Sequence, residues 1–185
     1  MILEYILKKN AINPETDLTI IQNIDFGHTA EAFLTNQGDY TVEFEPSATA
    51  IEKENGGKVV ASLGIESGYV PYTAYSTKKS YLESNPEIVQ QFTNAIQKSL
   101  EYVNTHTPEE IAKVIAPQFP ETDKDDLIAI ITRYHEQESW KDNAIFEEDS
   151  FTLLQNILEE AGELSGRVPY TDLVNTDYAK QATGK

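Results

Sequence analysis

Residues able to do chemistry cluster in three short stretches of this chain. The first is Glu43, Phe44 and Glu45, followed by Pro46. Alternation along an extended segment puts Glu43 and Glu45 on one face and Phe44 on the other. Two carboxylates at a strand end suit a general acid/base pair. They equally suit hydrogen bonding to an amine or amidine ligand. The plainer alternative is a solvated strand end, with Glu45 favouring the N-terminus of the next helix. The second stretch is Asp25, Phe26, Gly27 and His28. It reads either as a pocket loop or as a helix cap, Asp25 or Thr29, with Phe26 packing as a staple. The third holds Tyr72 and Tyr75 after a glycine-containing loop, suited to a stacking wall or a hinge, or to core packing.

Elsewhere the chain offers few reactive groups. The chain has no cysteine, which removes disulfides, thiolate metal sites and thiol nucleophiles together. His28, His106 and His135 share no ligand spacing, so no metal site is expected. No nucleophile elbow, dinucleotide fingerprint or P-loop is present, and no cofactor is implied. The expectation is a binding module and not an enzyme.

Composition narrows the partners. Of 185 residues, 39% are hydrophobic and 24% charged, ordinary for a globular chain. Charge is less ordinary, with 14 basic against 31 acidic residues and a net charge of -17. Such a surface repels phosphate backbones and anionic lipids, so no nucleic-acid partner is expected. No apolar run is long enough to span a bilayer. The first residues lack the basic leader of a signal peptide.

The elements that must position these stretches follow from periodicity. Residues 2–7 repeat apolar side chains at helical spacing without a capping residue before them. Extended, β-branched segments are predicted at 18–22, 40–44, 58–63 and 70–76, with helices at 30–35 and 47–54. Strands alternating with short helices predict an α/β unit with a small, mostly parallel sheet. Ligands sit outside the carboxyl ends of such strands. From residue 77 onward the pattern is helical. Asn85 and Pro86 open a long helix carrying Ile88, Phe92, Ile96, Leu100 and Val103. Thr107 to Glu110 forms a capping box. Further helices start near Thr122 and Asp149. An uncapped first helix, and amphipathic helices with no sheet beneath them, predict a fragment of a longer protein. Their uncovered faces predict self-association.

The ordered segments Asn23 to Phe26, Gly38 to Tyr40, Phe44 to Pro46, Val59 to Gly64, Val70 to Tyr75, Asn85 to Ile88, Glu101 to Asn104 and Val168 to Val174 carry a resemblance. Together they resemble the solute-binding proteins of ABC importers of the nitrate/sulfonate/taurine and thiamine-pyrimidine-precursor type. The resemblance implies the C-terminal portion of a type II periplasmic-binding-protein fold, with two lobes closing on a small-molecule solute. It implies residues 1–70 as second lobe, 71–76 as hinge strand, and 77–185 as helices belonging to a first lobe whose sheet is missing. It further implies a membrane permease as partner and an extracytoplasmic place, periplasmic or as a cell-surface lipoprotein. The implied ligand-binding set is Asp25, Phe26, His28, Glu43, Phe44, Glu45, Tyr72 and Tyr75, with the acidic Phe44–Pro46 segment at the cleft. A sulfonate or nitrate site wants arginine, and this chain has only Arg133 and Arg167, both in its helical part. A neutral or cationic heteroaromatic solute fits the acidic and aromatic set better.

Overall fold

In a computed structural model, residues 1–184 are described, and they fold as helices joined by extended segments. The helices are α1 (Ile2–Lys9), α2 (Thr29–Leu34), α3 (Ser47–Lys53), α4 (Leu63–Ser67), α5 (Lys79–Ser84), α6 (Pro86–Thr105), α7 (Pro108–Ile115), α8 (Lys124–Glu136), α9 (Glu148–Glu160), α10 (Tyr170–Leu173) and α11 (Asp177–Thr183).

The small parallel sheet is not there. Among the described residues no strand forms, so the α/β expectation is corrected to an all-helical fold with extended connections. The predicted strands run without helical structure except at Leu63, which ends the 58–63 segment as the first residue of α4, and no backbone hydrogen bond joins one to another. The physical reason is that β-branched composition specifies extended backbone, whereas a ladder needs a second segment in register. Here side chains that would pack on a sheet face solvent instead: Val60 is 75% exposed and Tyr40 82%.

In the helical half the two clearest signals recur, while α8 starts after Asp123 rather than at Thr122, α9 starts at Glu148, ahead of Asp149, and the short α5, α10 and α11 have no predicted counterpart. Pro86 occupies the first turn of α6. The α7 capping box is complete, with Thr107 accepting from the Glu110 N–H and Glu110 accepting from the Thr107 N–H. α7 lies against α8, and their contact forms the tightest core, Ile111, Ala112, Leu127 and Ile131. Tyr102 and Val103 of α6, Ile115, Ile128 and Trp140 pack around it. α11 packs along α6, while α1 sits on α4 and α9.

The apolar stripe of α6 is less covered than its periodicity predicts. Ile88 and Phe92 stay exposed, and the buried residue of α6 is Gln97. The amide oxygen of Gln97 accepts from the Ala144 N–H at 3.0 Å, fastening the 139–146 loop to the helix. Sequence reading also missed α4, where glycine suggested a loop. The Ser62 side chain caps it by accepting from the Ile65 N–H. No helix among the described residues is long and apolar enough to cross a membrane.

Candidate functional site

The extended segments and α6 enclose one broad, open concavity of about 3330 Å3. That exceeds the roughly 300–1,000 Å3 of a closed small-molecule pocket, so the surface is a basin rather than a formed pocket. Glu43, Phe44, Glu45, Tyr72 and Tyr75 line it. Asp25, Phe26 and His28 lie outside its lining.

An aromatic wall is the clearest feature. Phe44 meets Tyr72 with ring centroids 5.5 Å apart and planes tilted by 36°. Phe26 packs edge-on to Phe44, also at 5.5 Å. These contacts come from three separate segments, so the wall depends on how the segments are held. Phe26 and Tyr72 remain 71% and 81% exposed, which leaves ring faces free. A planar ligand sandwiched between two rings needs roughly 7 Å between them, two van der Waals contacts. Phe44 and Tyr72 already touch, so no planar group fits between them, and the accessible ring surface is the outer face of Tyr72. Tyr75 stands apart from this wall and packs edge-on to Phe92 of α6 at 5.0 Å.

The acidic residues are used unequally. Glu43 accepts from the Thr41 hydroxyl at 2.7 Å and is half-buried, leaving acceptor capacity at the concavity. Glu45 is committed elsewhere. Its side chain is only 4% exposed and pairs with the Arg133 guanidinium of α8. Its second oxygen accepts from the Thr49 N–H at 3.1 Å. The two carboxylates therefore serve different partners. Asp25 and His28 are exposed, and Asp25 makes no capping side-chain bond to the 3-10 turn that it precedes.

Sequence reading missed the Arg133 arrangement. Arg133 also donates to Glu52 at 2.6 Å, so one guanidinium holds two carboxylates. Burial works against the cation, and Glu52 and Glu45 outweigh it, raising the Arg133 pKa. The Glu52 carboxyl is held below its ordinary value of 4.5, first by the Val59 N–H, then by Arg133. No local motif announces this cluster, because its members are about 80 residues apart. The one available signal is an arginine on α8 in a chain otherwise poor in arginine and rich in acid.

The lowered carboxyls give a pH dependence. Glu52 and Glu110 both have depressed folded-state pKa values, Glu110 chiefly through the Thr107 N–H. A depressed carboxyl contributes stability above the unfolded value, near 4.5, and loses it as pH falls through the folded value. Unfolding free energy by urea titration is expected to fall steadily below pH 4.5. Glu52→Gln is expected to flatten that slope; an unchanged slope would show that Glu52 carries none of it.

Among the described residues, no group of His, Asp and Glu is arranged to hold a metal ion. The basin brings together exposed aromatic faces and several carboxylates, Glu43 among them. Residues 1–111 match the family model described as NMT1/THI5 like, and the chain belongs to that family. The chain is also 40% identical, over all 185 residues, to a Bacillus subtilis (strain 168) protein named "Putative binding protein YtlA". It spans 55% of that relative, so this sequence corresponds to part of a longer protein of the family. No solved structure matches it. The family resemblance drawn from the ordered segments is thereby borne out.

Proposed function

We propose that the chain is part of the solute-binding component of an ABC importer. It would capture a small molecule and deliver it to a membrane permease, outside the cytoplasm. The observation that carries this reading is the Phe44–Tyr72 wall, with Glu43 beside it, on the margin of the open basin. In this proposal residues 1–70 supply one side of the cleft, 71–76 the hinge, and 77–185 the helices of the other lobe. Tyr72 stacks the solute, and Glu43 accepts hydrogen bonds from its donors.

The solute we propose is a neutral or cationic heteroaromatic carrying amino groups. Arg133 lines the same basin and would be the natural anchor for a sulfonate or nitrate. Its guanidinium is already held between Glu45 and Glu52, and the trio carries net negative charge. The overall -17 works in the same direction. Calorimetry on the intact protein that carries this chain, with 4-aminopyrimidine against ethanesulfonate, tests the assignment. Heat of binding is expected with the aminopyrimidine. Binding of the sulfonate alone would overturn the solute class, and binding of neither would overturn the site.

A further inference from the structure

We infer that Arg133 is the positioning residue of the aromatic wall. The inference rests on the binding reading above, but its geometry stands separately. The segment carrying Phe44 has no ladder partner, and its backbone is tied to other residues through the Ala48 N–H bond to the Phe44 carbonyl. Apart from its ring contacts with Phe26 and Tyr72, Phe44 is therefore placed by whatever places α3. Arg133 does this from α8 at both ends of that helix. One arm of the guanidinium takes Glu45, the immediate neighbour of Phe44, and approaches the Thr49 hydroxyl at 3.4 Å. The other takes Glu52 on the last turn of α3.

Both carboxylates pass the restraint on. The second oxygen of Glu45 accepts the Thr49 N–H, and that of Glu52 accepts the Val59 N–H at 2.9 Å. One fork thus fixes α3, the Phe44 turn and the start of the next extended segment relative to α8. α8 in turn is anchored in the tightest core through Leu127 and Ile131. The other ion pairs at this contact, Lys53 to Asp126 at 2.8 Å and to Asp123 at 3.7 Å, involve a half-exposed lysine and are weak surface pairs. Arginine suits the task because its planar fork serves two carboxylates at once; a lysine ammonium serves one.

The experiment compares wild type, Arg133→Lys and Arg133→Gln in the intact protein. Arg133→Lys keeps a cation opposite the buried Glu45 and is the variant chosen to stay folded. Amide exchange at Thr49 and Val59 is expected to speed up by ~10-fold in Arg133→Lys, while the Ile111 amide of the core is unchanged. Affinity for 4-aminopyrimidine is expected to fall by ~10-fold in the same variant, with a larger loss in Arg133→Gln. Wild-type exchange at Thr49 and Val59 would overturn the inference whatever the binding result. Faster exchange with wild-type affinity would overturn it as well, since the wall would then bind without the fork. If exchange speeds up but wild type binds neither probe, the binding reading fails, and with it the role assigned here.

Discussion

Ile131→Ala is expected to remove about 3 kcal/mol of folding stability, within the usual range for a fully buried Ile truncated to Ala. Ile131 is 2% exposed and sits where α7 and α8 press together with Ile111, Ala112 and Leu127. The loss has two parts, the transfer of the deleted carbons and the cavity left behind. Ala112, at 0% exposed, already brings the helices close and leaves little freedom to collapse around the gap. The consequence is large because the core is thin. Among the described residues the buried apolar set is twelve side chains spread over many elements. Three kcal/mol, roughly, is a substantial share of the ~5–15 kcal/mol that holds a typical domain. A urea titration should show a lower midpoint with an unchanged slope. A shift worth less than ~1 kcal/mol would mean that the α7–α8 contact is not the core.

The second large effect concerns binding. Phe44→Ala is expected to weaken 4-aminopyrimidine binding at least ~10-fold, about 1.4 kcal/mol, while leaving the fold almost untouched. Both halves follow from one geometry. Phe44 is 42% exposed, so truncating it opens no sealed cavity and stability should change by under ~1 kcal/mol. Yet it is the ring that touches both Phe26 and Tyr72. Without it, two highly exposed aromatics lose their shared neighbour and the wall disperses. Phe44→Tyr preserves the ring and should retain most of the affinity. Undiminished binding by Phe44→Ala, in calorimetry, would remove Phe44 from the site.

The sequence was most legible where its signals are local. Pro86 at the start of α6 and the Thr107/Glu110 box needed only neighbouring residues to be read, and both are present as expected. The sheet was not legible for the opposite reason. The segments 18–22, 40–44, 58–63 and 70–76 have strand-like composition, but pairing is a property of two segments, and these do not pair. The site divides the same way. Phe44 and Tyr72 were named from their own neighbourhoods and do come together. Glu45 was named as a ligand-binding residue, and the structure shows its carboxylate engaged by Arg133. An arginine 88 residues away is invisible to any pattern read along the chain.

Trp140, packed on the α7–α8 core, has a further consequence. It is the chain's single indole, edge-on to Tyr134 and His135 at 5.8 and 5.3 Å. Its loop is clipped to α6 by Gln97 and by the Asn104 side chain, which donates to the Lys141 carbonyl. Trp140 and Tyr72 both line the basin, but from different elements. The molecule thus carries a single native indole label on the cavity, apart from the several tyrosines that line it. Selective excitation of the indole listens to the helical scaffold, so a visitor that disturbs that wall of the basin can be detected without attaching a dye.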